Sequence, residues 1–331
     1  MPMPKISVVM PVYNNAPYLA AAIESILNQS RDDFEFVIVD DGSTDGSGAI
    51  MDGYAARDGR LRIVRQENRG MIAALNRGLD LARGELIARM DGDDMAEPAR
   101  FEKQAAFLDA NPDVGALGTW IMVVEEEGRE RLPGADPPVD PAAVAESLKH
   151  STPIMHPTAM IRKAVADRIG GYRAAYRHCE DYDYWLRFSE QAKLANLPER
   201  LLRYRHYGGQ VSQRHAIAQL VGTIVAYAAY QERAAGRPDP TAPLTAMPRV
   251  ADLPGLFGRD DLPRLARDFV LPRIEYRPDA FRGEGTELLV EALHRREVVD
   301  VRRTLRIAAR LARAGQYGNA ARIARAAILR R

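Results

Sequence analysis

The stretch VIVDDGSTDGS occupies Val37–Ser47. Its three leading β-branched residues, with Phe36 before them, read as a buried strand. The chain then turns abruptly into carboxylates, glycines and hydroxyls. Two adjacent aspartates, Asp40 and Asp41, close the strand. Like charges repel, and a carboxylate at a strand end inside a domain needs a partner. Either the pair is a solvated turn or it waits for a ligand.

The flanking sequence says what kind of sheet holds this strand. Upstream, KISVVMPVYN (5–14) is a β-branched apolar run, and APYLAAAIESILNQ (16–29) places Leu19, Ile23, Ile26 and Leu27 at helical spacing. Downstream, GSGAIMDGYAARD (46–58) reads as a helix, with Ser43 or Thr44 as its cap. RLRIVRQEN (60–68) reads as a strand, GMIAALNRGLDLAR (70–83) as a helix and ELIARMD (85–91) as a fourth strand. Strands separated by helices of this length imply a doubly wound, mostly parallel α/β sheet. Functional loops of such a sheet lie at the carboxyl ends of its strands. Those ends are Pro11-Val12-Tyr13-Asn14, Asp40-Asp41-Gly42-Ser43, Glu67-Asn68-Arg69-Gly70 and Asp91-Gly92-Asp93-Asp94. Polar and acidic residues therefore collect along one edge.

Composition narrows the function classes. The 331 residues carry a formal net charge of +1, with 46% hydrophobic and 27% charged residues. Such a balance suits a soluble globular protein and argues against a general nucleic-acid binder. Cys179 is the single cysteine, so no internal disulfide forms, which fits a reducing compartment. No apolar run reaches the roughly 18–20 residues of a spanning helix. AIAQLVGTIVAYAAY (216–230) comes nearest and reads as a packed helix. The N-terminus is too short and wrongly built for a signal peptide. A cytoplasmic location is expected, with peripheral membrane association left open.

The acidic edge suggests its chemistry. In MDGDD (90–94), Asp91, Asp93 and Asp94 bring several carboxylates together at a strand end. A hard divalent cation relieves such repulsion with oxygen ligands and leaves positions open for substrate phosphates. A solvated acidic turn before the helix that follows Pro98 is the plainer alternative. Asp41 faces the same crevice, where it can accept from a nucleobase N–H while Tyr13 covers base or ribose. An Asx-type turn is the plain reading there.

Taken together, the motifs become recognisable. The order strand–PVYN, strand–DDGSTD, N-x-G, A-x-N-x-G, GE and D-x-DD-x-x-x-P, over residues 5 to 212, resembles the family-two glycosyltransferases with a GT-A-type fold. That resemblance implies a Rossmann-like, mostly parallel sheet flanked by helices and a nucleotide-sugar site. By the same resemblance Asp41 binds the base, usually uracil, with Pro11, Val12, Tyr13 and Asn14 lining its pocket. Asn68, Gly70 and Asn76 shape the nucleotide pocket. Asp91 and Asp93, on either side of Gly92, form the D-x-D pair that meets ribose, diphosphate and Mg2+ or Mn2+, with Asp94 a lesser member. In HCEDYDYW (178–185), Asp181 is implied as the general base, with Glu180 and Asp183 as alternatives. His156 and His206 stand where relatives carry histidines near the site, and Gln210, Val211 and Ser212 where relatives fold a loop over the diphosphate. Trp185 reads as core and Cys179 as a passenger.

The implied activity is inverting transfer of a sugar from a nucleotide-sugar donor, a UDP-sugar, to a saccharide or lipid-linked acceptor in cell-surface polysaccharide synthesis. A nucleotidyltransferase would need a basic, glycine-rich loop after the first strand, and a dinucleotide-binding oxidoreductase would need G-x-G-x-x-G there. The chain has PVYNNAPY (11–18) instead. A non-catalytic sugar- or nucleotide-binding scaffold of the same fold remains the third reading. The resemblance stops before the last third. Residues 1–214 are expected to form the transferase domain and 215–331 a helical extension with a proline-rich linker near 233–255. Residues 302–331 hold nine arginines and no acidic residue. These helices are a solvated or packing face, a partner site, or a contact with an anionic membrane surface.

Overall fold

A computed structural model describes residues 3–208, 215–295 and 300–329. The strands expected from the sequence are present: β1 (Ile6–Val12), β2 (Phe34–Asp40), β3 (Leu61–Arg65) and β4 (Leu86–Arg89). Helices α1 (Ala16–Leu27), α2 (Ser47–Ala55) and α3 (Met71–Leu81) connect them. Every residue of β1 and β2 is buried. That follows from their mostly apolar runs, because a parallel strand covered on both faces has no polar side to show; the interior polar residues Ser7 and Glu35 hydrogen-bond each other at 2.6 Å. The four strands pair in parallel in the order β3-β2-β1-β4. Val12 stands opposite Asp40, and Asp40 opposite Arg65, so the carboxyl ends line up at one edge.

Beyond Arg89 the sheet becomes mixed. Its further elements are β5 (Met95–Ala96), α4 (Arg100–Ala110), β6 (Val114–Val124), β7 (Glu130–Pro133), α5 (Pro141–Ser147), β8 (Met160–Arg162), α6 (Lys163–Ile169), α7 (Glu180–Ser189) and β9 (Lys193–Arg205). The full order is β3-β2-β1-β4-β8-β6-β9-β5, with β7 on β6. β8 runs antiparallel to β4 and β6, and β5 runs antiparallel to β9. The acidic stretch 90–94 is therefore the crossing between β4 and β5. It cannot drift, because both of its ends are hydrogen-bonded into one sheet.

A buried polar network fixes the underside of that crossing. Arg100, fully buried on α4, donates to Gln104 Oε1 at 3.0 Å and to the Arg89 carbonyl at 2.8 Å. Gln104 donates to the carbonyls of Leu117 and Thr158 at 3.0 and 2.9 Å. Burial, and then the nearby Arg89 charge, pull the Arg100 pKa down to about 9. Hydrogen bonds to charged groups contribute about 1.5–3 kcal/mol each, so α4 is firmly tied to the strands above it.

The chain forms two compact units: Met1–Ala174 with Glu180–Tyr207, and Ala175–Cys179 with Gly208–Arg331. The second is helical. The apolar stretch at 216–230 lies in the helix Ala216–Ala234, whose Val221, Val225, Ala226 and Ala229 are buried. Cys179 packs there against Gly222, where an added Cβ would lie 2.1 Å from its Sγ. The proline-rich stretch is irregular but anchored, since Thr241 is buried and its hydroxyl lies 2.7 Å from Tyr176 Oη. The arginine-rich tail forms the helices Val301–Arg313 and Tyr317–Leu329, and Gly315 makes the turn between them with φ 77°. Arg303 pairs with Glu275, and Arg322 with Glu287 at 2.9 Å. Part of the tail's charge is thus spent within its own unit. Among the described residues no helix is long and apolar enough to cross a membrane.

Candidate active site

The loops after β1 and β2 are built as one piece. Asn14 adopts φ 54°, a conformation tolerated best by short polar side chains. Its N–H donates to Ser43 Oγ at 3.1 Å, and its Oδ1 accepts from the Thr44 N–H at 2.8 Å. Asp45 accepts from the N–H groups of Ala16 and Ser47. Ser43 and Thr44 therefore stitch the two loops and do not cap α2, which starts at Ser47 after Gly46. Asp40 accepts from the Ser43 N–H at 2.9 Å and closes its own turn. Above these loops the Tyr13 ring stands 50% exposed, free to lie against a flat ligand.

Asp41 is 2% exposed and heavily used. Its Oδ1 accepts from Gln66 Nε2 at 2.8 Å and the Arg69 N–H at 2.9 Å, and its Oδ2 from the Gly70 N–H at 2.8 Å. A carboxylate has about four lone-pair sites, so one acceptor position remains. Two glycines make this possible. Gly42 takes φ 76°, and a Cβ there would lie 2.9 Å from the Asn68 nitrogen. Gly70 takes φ 86° immediately before α3. Asn68 itself is exposed.

The acidic crossing brings three carboxylates together. Ligand oxygens of Asp91, Asp93 and Asp94 all lie within 4.8 Å of one another. Asp94 is 1% exposed; its Oδ1 accepts from the Arg205 N–H at 2.9 Å. Its buried Oδ2 has no hydrogen-bond partner among the described residues. Asp93 accepts from Tyr207 Oη at 2.9 Å, and Asp91 pairs with Arg89. Burial and then the Asp91 charge push Asp93 up to about 6. Burial and then the charges of Asp93 and Asp91 push Asp94 well above the usual carboxylate range. Crowded, part-desolvated carboxylates with an orphaned oxygen fit a hard divalent cation.

The pH consequence has a definite sign. Asp93 holds its proton more tightly folded than unfolded, so its ionisation costs stability. The cost is absent below about 3.8 and complete above about 6. A cation that binds the ionised form therefore has most to offer at neutral pH. The rise in melting temperature produced by Mn2+ is expected to grow from pH 5 to pH 7, as measured by calorimetry at fixed Mn2+.

Helix α7 supplies the second half of the site. Glu180, Asp181 and Asp183 all fall in its first turn, where the helix dipole favours negative charge. They differ in environment. Asp183 is fully buried and shared between Arg173 Nε and Arg187 Nε, each at 3.0 Å. That rules it out as a group able to receive a proton from a substrate. Asp183→Asn breaks a buried ion-pair network and is expected to cost about 3–5 kcal/mol, seen as a lower urea midpoint. Glu180 is 5% exposed. Asp181 is half-buried and accepts from the Tyr182 N–H at 2.8 Å. Burial raises its pKa; Arg89 opposes the rise and Asp91 adds to it. Asp181 thus feels the same charges as the acidic crossing.

Other expected residues land differently. His156 Nε2 lies 2.9 Å from Tyr172 Oη, edge-on to Trp185 at 6.0 Å. Burial, then Arg89, hold its pKa well below the usual value, so it is neutral. Trp185 is core, fully buried. Asn76 spends both amide atoms on the Tyr172 backbone, at 2.8 and 2.7 Å, and ties α3 to that segment instead of offering them to a nucleotide. His206 is exposed and lies 3.5 Å from Arg131, while its neighbour Tyr207 is the residue that holds Asp93. Gln210, Val211 and Ser212 lie outside the described residues.

Comparison with known proteins places this arrangement. Residues 7–170 match the model of glycosyl transferase family 2. EpsE of Bacillus subtilis, named as a glycosyltransferase, is 37% identical over 234 residues, 68% of this chain and 82% of its own length. The chain belongs to glycosyl transferase family 2. A second relative, the O-antigen biosynthesis glycosyltransferase WbnJ of Escherichia coli, is 34% identical, covering 64% of this chain and 84% of WbnJ. The fold agrees with TarS 1–349 of S. aureus, solved with UDP-GlcNAc: TM-score 0.59 at 19% identity, over 97% of this chain and 90% of that one. It agrees also with the mannosyltransferase PcManGT of Pyrobaculum calidifontis, solved with GDP-Man and Mn2+: TM-score 0.54 at 20% identity, over 98% and 86%.

Two side chains of this family-two site carried little sequence signal. Arg205 reaches the crossing from β9, its Nε donating to the Asp93 carbonyl at 2.8 Å and its guanidinium lying 4.9 Å from the Tyr18 ring centre. Tyr207 packs on Tyr18 at 5.0 Å. Both lie more than a hundred residues downstream of the carboxylates, and only the β5–β9 pairing brings them close. Arg89 did carry a signal, a buried-strand position filled by a charge at the end of the otherwise apolar LIAR (86–89).

Proposed function

We propose that the protein is a cation-dependent, inverting glycosyltransferase. It moves a sugar from a UDP-sugar to a hydroxyl of a saccharide or lipid-linked acceptor during cell-surface polysaccharide synthesis. The observation that carries the reading is the carboxylate cluster at the sheet edge, together with the unpartnered Oδ2 of its member Asp94. The names of WbnJ and of the amylovoran biosynthesis glycosyltransferase AmsE of Erwinia amylovora support the polysaccharide assignment.

Each residue then has a task. Tyr13, with Pro11 and Val12, covers the base, and Asp41 uses its remaining acceptor position on a base N–H. Asp91 and Asp93 would hold Mg2+ or Mn2+, which would supply positive charge to offset that of the departing diphosphate. Asp181 takes the proton of the acceptor hydroxyl as that oxygen bonds to the anomeric carbon. The bond from that carbon to the phosphate oxygen breaks, and its electron pair leaves with the nucleoside diphosphate. Attack opposite the leaving group inverts the centre. The elevated pKa of Asp181 suits a base, since it binds a proton more readily than a solvated carboxylate. Arg302, Arg306 and Arg313, exposed on one helix of the tail, offer cations for a membrane bearing a lipid-linked acceptor.

The test is a panel of UDP-, GDP- and CDP-sugars with Mn2+, read as released nucleoside diphosphate in the presence of mixed oligosaccharide acceptors. Release from UDP-sugars supports the reading. Release from none, with the protein folded, supports the non-catalytic scaffold.

A further inference from the structure

Arg89 is 6% exposed, at the last position of β4. Its backbone N–H donates to the Ala159 carbonyl at 2.9 Å, and its own carbonyl accepts from Arg100. The side chain pairs with Asp91. Among the described residues Asp91 is its only ion-pair partner, and its buried Nε has no hydrogen-bond partner. Part of it borders a small apolar hollow with Val9, Leu75, Tyr172 and Trp185. A guanidinium fixed at both ends of its residue and walled by apolar side chains cannot swing into solvent. It is a permanent positive charge at the rim of a cluster with three carboxylates.

We propose that Arg89 is a built-in competitor for the divalent cation, a positioning residue that makes cation binding depend on the donor. This rests on the cation-dependent reading above. Arg89 already holds one Asp91 oxygen, so an arriving cation must share that carboxylate and bear the repulsion of the guanidinium. A bound diphosphate adds negative charge and offsets that repulsion. Cation and donor then strengthen each other's binding by one common factor, as linkage requires. Free cation is held weakly, and the site loads when donor arrives.

The test titrates Mn2+ alone into the full chain and reads free Mn2+ by electron paramagnetic resonance. In R89M the Kd for Mn2+ is expected to fall at least about tenfold, because removal of a fixed charge a few ångströms away exceeds that in a partly buried site. UDP should then improve Mn2+ affinity by a smaller factor in R89M than in the parent protein. A purely structural role would leave Mn2+ binding unchanged or weaker, and either result overturns the proposal. Should R89M fail to fold, R89Q and R89K carry the same comparison: the neutral glutamine must bind Mn2+ more tightly than the charged lysine, and equal binding overturns the idea. Mn2+ binding that D93N abolishes but R89M leaves unchanged removes the role of Arg89 alone. Mn2+ binding indifferent to D93N removes the cation reading as well.

Discussion

Asp181→Asn is expected to lower kcat by about 10²–10⁴-fold, the usual contribution of a positioned general base. Nucleoside diphosphate affinity should stay within about twofold, because the proposed task of Asp181 is on the acceptor and its hydrogen bond is local, to the adjacent Tyr182 N–H. Folding should be little disturbed, since asparagine keeps the accepting oxygen. The contrast with Asp183→Asn is informative. Two residues further along the same helix, the same chemical change removes the shared partner of Arg173 and Arg187 and destabilises the fold. Equal loss of turnover and nucleotide affinity in Asp181→Asn would move the base elsewhere, with Glu180 next in line.

Asp93→Asn should separate stability from function in the opposite way. Without a cation, the Asp93 charge is a cost at neutral pH, as its raised pKa of about 6 states. Asparagine removes the charge and can still accept from Tyr207 Oη. The cation-free variant is therefore expected to melt at the same or a higher temperature than the parent at pH 7. Cation-dependent donor binding should fall by about a hundredfold or more, since a cation supplies several kcal/mol of charge stabilisation at the diphosphate. The Mn2+-induced rise in melting temperature should vanish. Parallel loss of stability and activity would mean that Asp93 is an ordinary structural carboxylate. Protein that needs strain or repulsion at its working site gains stability when that site is disarmed.

Much of this was legible in the chain. The parallel half of the sheet follows from the largely apolar runs of β1, β2 and β4, separated by helical periods. The family follows from the order of its motifs, and the carboxylate edge from strand ends that carry Asp41, Asp91, Asp93 and Asp94. What local pattern cannot show is which atoms are already committed. Asn76 and Asp183 look like site residues on a string, yet both are saturated by partners that the fold delivers from elsewhere: the Tyr172 backbone for one, Arg173 and Arg187 for the other. Arg205 and Tyr207 escape notice for the reverse reason. Their role depends on β9 pairing with the two-residue β5, a contact between strands separated in sequence by residues 97–192. His206 illustrates how little register error is tolerated. It and Tyr207 follow directly after the end of β9, and their side chains part: the histidine meets Arg131 while the next residue meets Asp93.

The most direct test of the cation-dependent donor site is calorimetric titration of UDP into the full chain, with Mn2+ and again with EDTA. UDP is expected to bind tightly with Mn2+ and at least about tenfold more weakly without it, a coupling of the size two linked sites commonly show. Binding of equal strength in both conditions would contradict the account, because the carboxylates of Asp91 and Asp93 would then serve no cation.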